Sequence, residues 1–112
     1  MPNFDLVLRN CNLINENSIS QLDIAIKDKR LEKISSSITE KAKKEIDING
    51  KNVAPGVIDD QVHFREPGLT QKGEIKTESL AALYGGITST MDMPHVSPAS
   101  TTLDLLEERF QL

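Results

Sequence analysis

The hydrophobic pattern of this chain changes period at Pro55-Gly56, and that change limits the fold more than any other feature. Before it, apolar and polar residues alternate in short runs. Phe4-Asp5-Leu6-Val7-Leu8 does so in part, and Leu22, Ile24 and Ile26 do so strictly. A period of two is that of a strand with one buried face. Asn15-Glu16-Asn17-Ser18 and Lys27-Asp28-Lys29-Arg30 supply turn chemistry, the second as a polar reversal before Leu31 to Ile34. Ser35-Ser36-Ser37 reads as a turn and Lys41 to Lys44 as a solvated loop. Ile46 and Ile48 alternate again, and Asn49-Gly50 predicts a tight hairpin with Lys51 to Ala54 as the returning strand. Residues 1–54 are therefore expected to form a small antiparallel β-sheet.

Beyond Pro55-Gly56 the pattern is strand, helix, strand, helix. Val57-Ile58 is a short apolar strand, and a polar loop follows through Gln71. Leu80, Leu83 and Tyr84 then share a helical face, and Gly85-Gly86 stops that helix. Ile87 to Met91 is rich in β-branched residues and reads as the next strand, closed by Pro94. Thr101 to Asp104 has the spacing of a capping box, and Leu103, Leu106 and Phe110 follow at helical intervals in a helix that runs to Leu112 with no stop signal. Such alternation implies parallel strands joined by crossover helices, the unit of an α/β barrel or a doubly wound sheet. A barrel needs about 250 residues, and the chain has 112. The second domain, 55–112, is thus expected to be incomplete, with strand edges and helix faces that need more chain or a partner to cover them.

Composition narrows the function classes. Hydrophobic residues make up 38% and charged residues 27%, a globular balance. The net charge of −4 provides no basic footprint for a nucleic acid. The apolar runs fall far short of the ~20 residues that span a bilayer. The N-terminus lacks the pattern of an export signal, and Cys11 has no cysteine partner, so a reducing cytoplasm is the expected location and Cys11 an ordinary buried side chain.

The densest chemistry lies in Pro55-Gly56-Val57-Ile58-Asp59-Asp60-Gln61-Val62-His63-Phe64-Arg65-Glu66-Pro67-Gly68. In an extended segment Asp59, Gln61, His63 and Arg65 would point to one face. His63 can be a neutral imidazole ligand for a metal or a hydrogen-bonded loop residue. Arg65 offers a planar fork suited to a carboxylate, or a structural ion pair with Glu66 or Asp60. Pro67-Gly68 fixes a tight turn.

This run, with Leu69-Thr70-Gln71-Lys72-Gly73, Ala81-Ala82, Gly85-Gly86-Ile87-Thr88 and Met91-Asp92-Met93-Pro94, resembles dihydroorotases of the amidohydrolase superfamily. The preceding Asp23-Ile24-Ala25-Ile26 and Leu31-Glu32-Lys33-Ile34 resemble the N-terminal segment of the small β-sandwich beside the barrel in those enzymes. The resemblance implies a TIM-like barrel and interconversion of dihydroorotate and carbamoyl aspartate in pyrimidine biosynthesis. It also implies one or two zinc ions in the complete protein, a small cyclic amide as partner, and a homo-oligomer. By this likeness His63 matches the second histidine of a zinc-binding pair, and Gln61 stands where the first usually stands. Arg65 matches the arginine that binds the substrate carboxylate, and His95 stands where an asparagine usually assists it. The remaining ligands and the proton-shuttling aspartate come from later strands in that family. No catalytic residue is therefore expected here, and the 112 residues alone are expected to be inactive. The alternatives are a non-catalytic assembly or regulatory homologue, which the Gln61 and His95 departures would suit, and an unrelated small binding module.

Overall fold

The computed structural model describes residues 2–112, and the chain divides into two compact units at Pro55 and Gly56. The first unit is a five-stranded sheet made of β1 (Phe4–Asn15), β2 (Ser18–Lys27), β3 (Arg30–Ser35), β4 (Ala42–Asp47) and β5 (Asn52–Val53). β1, β2 and β3 form the expected antiparallel meander. The rest corrects the expectation of a purely antiparallel sheet, because β4 and β5 both pair with β1 in parallel. Residues 36–41 carry the chain from β3 to the other edge of β1, so β4 enters in the same direction as β1. Lys43 and Lys44 accordingly belong to a strand, and Lys43 pairs with Asp5 at 2.6 Å.

Asn49-Gly50 makes a turn, but no hairpin. Both residues are left-handed, at φ 55° and 72°. The backbone on either side bonds to β1 instead: Ile48 N–H donates to the Arg9 carbonyl at 2.9 Å, and Asn12 N–H donates to the Lys51 carbonyl at 3.1 Å. β1 itself is irregular between Leu8 and Cys11, with Asn10 at φ 55°. The turn lets β4 and β5 follow one edge past that irregularity.

The main core cluster lies on the face opposite the one the alternation suggested, although Ile24 is buried on the alternating face. Val7 sits opposite Ala25, and both pack with Phe4, Ile38 and Ala42. Ile38, in the connecting segment, is only 2% exposed. Leu6, Leu8, Ile24 and Ile26 share the opposite face with Ile34 and Ile46; Ile24 is buried there, and Ile34 and Ile46 remain exposed. The covered face can hold Asp23 because every demand of its carboxylate is met. Asn10 N–H donates at 3.0 Å, Ile38 N–H at 3.2 Å and the Arg9 guanidinium at 3.0 Å. Burial pushes the Asp23 carboxyl up, but these donors together outweigh it and hold it below the usual carboxylate range. Cys11 is fully buried, and burial pushes its thiol up.

The second unit contains β6 (Val57–Val62), α1 (Ile75–Tyr84), β7 (Ile87–Asp92) and α2 (Leu103–Phe110). β6 and β7 are parallel, with Val57 opposite Ile87 and Val62 opposite Asp92. β6 is longer than the two-residue strand expected, and α2 is shorter. α2 starts after Thr102, whose hydroxyl accepts Leu105 N–H, and ends at Phe110 with Gln111 as its C-cap. α1 ends where expected, with Gly85 N–H donating to the Ala81 and Ala82 carbonyls. Neither helix buries a residue. Leu80, Leu83 and Tyr84 are all exposed, and the buried apolar side chains among the described residues of this unit are Phe64 and Val96, both in loops.

Candidate functional site

Three of the candidate residues, His63, Arg65 and His95, meet beyond the C-terminal ends of β6 and β7, on the two loops that leave those strands, whereas Gln61 stays within β6. Met93 N–H donates to the Val62 carbonyl at 3.0 Å, extending the pairing by one step before the loops diverge. The single polar face expected for Asp59, Gln61, His63 and Arg65 does not form. The pairing with β7 is irregular between Asp59 and Val62, and the Asp59 carboxylate turns back to accept Gln61 N–H at 3.0 Å. Gln61 is exposed, β6 ends at Val62, and Arg65 sits at φ 67°, in the left-handed region. A non-glycine residue in that region is held there by its surroundings at a cost of about 1 to 3 kcal/mol.

This bend brings His63 to His95. Their Nδ1 atoms are 3.3 Å apart, and the rings stack with centroids at 5.1 Å and an interplanar angle of 15°. Arg65 Nη1 donates to the His95 carbonyl at 3.4 Å. Two imidazoles and a guanidinium therefore converge, a set of donors suited to an anionic group. Glu66 is engaged elsewhere: its Oε2 accepts Ile75 N–H at 2.8 Å, supplying the cap that the Glu74 side chain does not. A carboxylate at a helix N-terminus is favoured by the dipole of the helix.

The two loops close tightly at Gly68. Ser97 N–H donates to the Pro67 carbonyl at 2.9 Å, and Gly68 lies at φ 82°. A Cβ at Gly68 would sit 2.0 Å from the Ser97 carbonyl oxygen. Only glycine fits that position.

Asp92 and Arg109 matter to this geometry, and neither was singled out from sequence. Asp92 accepts Phe64 N–H at 3.1 Å and an ion pair from Arg109. The Arg109 guanidinium also donates to the Glu66 carbonyl at 3.1 Å and the Met93 carbonyl at 3.2 Å. A signal was present: Arg109 follows Leu105 and Leu106 at helical spacing, so one cation lies in line with an apolar stripe. Beside this pair opens a cleft of about 480 Å³ lined by Phe64, Ile75, Met91, Leu106 and Phe110 with Asp92 and Arg109.

As a zinc site the residues fit only in part. His63 and His95 offer soft enough nitrogen donors, but zinc takes at least about three protein ligands even where it is catalytic. Among the described residues no three His, Cys, Asp or Glu side chains are grouped to hold a metal. The Gln61 amide oxygen is a weaker donor than imidazole.

Comparison with known proteins gives a consistent result. A family model described as dihydro-orotase-like matches residues 50–111. The chain is 36% identical over 107 residues to a dihydroorotase of Fusobacterium nucleatum subsp. nucleatum, covering 96% of this chain and 25% of that protein. It is 37% identical over 108 residues to an L-hydantoinase of Paenarthrobacter aurescens, covering 95% and 24%. The solved structure of L-hydantoinase from Arthrobacter aurescens superposes with a TM-score of 0.90 at 38% identity, over 96% of this chain and 25% of that one. The chain spans about a quarter of the length of these relatives.

Proposed function

Because the chain belongs to the dihydroorotase-like family of cyclic amidohydrolases, we propose that it is the N-terminal part of a zinc-dependent enzyme that interconverts dihydroorotate and carbamoyl aspartate in pyrimidine biosynthesis. The observation that carries this reading is the convergence of His63, Arg65 and His95 beyond the C-terminal ends of parallel strands β6 and β7. That is the end at which α/β barrels place their reacting groups. In this reading residues 1–54 are a β-sandwich segment, and residues 55–112 are the first two β/α units of a TIM-like barrel completed by further chain.

Each site residue then has a role. Arg65 grips the substrate carboxylate through its planar fork, with His95 as a second donor. His63 and Gln61 contribute to a zinc site of one or two ions whose other ligands lie outside these residues. The 112 residues alone hold no catalytic base and turn over no substrate. The complete enzyme works in the cytoplasm as a homo-oligomer.

The L-hydantoinase likeness favours a second reading, a hydantoin-type ring as substrate. Arg65 discriminates between the two. Charge-assisted hydrogen bonds contribute about 1.5 to 3 kcal/mol, so Arg65→Met should lower kcat/KM for dihydroorotate by roughly tenfold to a hundredfold and leave an uncharged ring less affected. The direct test is zinc stoichiometry and hydrolysis of both rings, on this chain and on the chain extended to the length of its relatives. Metal and turnover in the long form alone would support the proposal. A long form without either would favour a non-catalytic homologue, the reading that Gln61 suits.

A further inference from the structure

We infer that Arg109 is a positioning residue for this site, holding the His63–Arg65 loop and the His95 loop in register from behind. Its side chain is only 10% exposed, and three of its nitrogens are engaged by three different groups. Nε donates to the carbonyl of Glu66, next to Arg65 in one loop. Nη1 donates to the carbonyl of Met93, two residues before His95 in the other. Nη2 pairs with Asp92, whose second carboxylate oxygen receives the N–H of Phe64, the residue between His63 and Arg65. Both loops are thus tied to one rigid, planar group within a few atoms of the candidate site residues.

The helix that delivers Arg109 strengthens the case. No residue of α2 is buried, and Leu103, Leu106 and Phe110 are exposed. Apolar packing therefore contributes little to the seating of α2 in this chain, and its last turn reaches the loops through Arg109. A lysine at this position would keep the charge on Asp92 but could not donate in three directions from a planar fork. Removing the guanidinium would leave the Glu66 and Met93 carbonyls and the Asp92 carboxylate without their partner, each an unsatisfied group with a cost.

The assignment rests on reading His63, Arg65 and His95 as the site, and its test is independent of turnover. Nuclear Overhauser contacts between the His63 and His95 rings would be measured in the wild-type chain and in Arg109→Lys, Arg109→Met and Asp92→Asn. Backbone amide shifts of β6 and β7 would be followed in parallel. We expect the ring contacts to be lost in Arg109→Met, weakened in Arg109→Lys and weakened in Asp92→Asn, with the shifts of the two strands kept. Ring contacts that persist in Arg109→Met with the strands intact would overturn the inference. Loss of the strand shifts in all three variants would overturn it as well, since the residue would then serve folding and not placement. In the extended protein, Arg109→Lys should lower kcat/KM by about a hundredfold, the scale of a misplacement of about 1 Å. An extended wild-type protein without activity would sink the enzymatic reading and leave the histidine geometry test standing.

Discussion

The two units are held together by different means. The first closes around Phe4, Val7 and Ala25 of its sheet and Ile38 of the segment between β3 and β4, with the buried Asp23 fully satisfied beside them. The second has a two-stranded sheet, two helices without a buried residue, and a set of polar ties centred on Asp92, Arg109 and Glu66. A sheet face can bury a core within 55 residues when a meander is closed by one returning strand and the segment that leads to it, here β4 and Ile38. Parallel strands with crossover helices need many repeats before their apolar faces meet. Cohesion in the second unit accordingly comes from side chains reaching backbone, the kind of bond that also fixes loop geometry.

The sharpest way to break this contrast is to remove one apolar side chain from each unit. Ile38→Ala should cost about 3 kcal/mol, the usual range for a large aliphatic truncated in a packed core. Leu80→Ala, on an exposed helix face, should cost less than about 0.5 kcal/mol. Urea titrations of the chain, followed at residues of each unit separately, measure both. Equal costs would mean that α1 is packed as firmly as the sheet.

Asp23→Ala should come next, at about 2 to 3 kcal/mol, because it leaves Arg9 and the N–H groups of Asn10 and Ile38 without an acceptor. Its pH dependence has a definite sign. The folded carboxyl lies below its ordinary value of 3.8. Its contribution is therefore complete above that value and is lost as pH falls through the folded pKa. The urea midpoint of the first unit should drop in that acid window, and Asp23→Asn should flatten the drop. A midpoint in Asp23→Asn that falls as steeply as in the wild type would assign the acid sensitivity to other carboxylates.

Gly68→Ala probes the second unit at its tightest point and should cost about 1 to 3 kcal/mol, from a left-handed backbone and a clash with the Ser97 carbonyl. The change should separate the two loops and weaken the His63–His95 ring contact. An unaltered ring contact would show that the loops accommodate a methyl group there. Smallest of all, Leu103→Lys should change stability by less than about 0.5 kcal/mol and reduce self-association seen by light scattering, since Leu103 is 81% exposed. Light scattering that matched the wild type would place the sticky surface elsewhere.

Much of this organisation was legible in the sequence, and the misses share a cause. The strand-helix-strand-helix order after Pro55-Gly56 was a local signal, and it appears in the structure. Asn49-Gly50 specified a turn correctly, but which strand its flanks pair with depends on the free edge of β1, some 40 residues away along the chain. Ile38 sat in a segment with no period, and its burial follows from the path between β3 and β4. Leu22, Ile24 and Ile26 marked an apolar face truthfully, and Ile24 is buried on it, yet the main core cluster forms on the face with Asp23, whose carboxylate is satisfied by three donors that no pattern announces. At the site, His63 and Arg65 stood out by residue type. Their encounter with His95 required a left-handed Arg65, and the support from Arg109 required a helix to return from the far end of the chain.

Glu66 gives the candidate site a clock. Its backbone carbonyl receives Arg109 and its carboxylate receives the first N–H of α1. The opening turn of that helix and the loop beside Arg65 therefore cannot loosen independently. Local opening events of this kind are read directly by amide hydrogen exchange. The exchange rate at Ile75 reports how often the loop that carries His63 and Arg65 lets go.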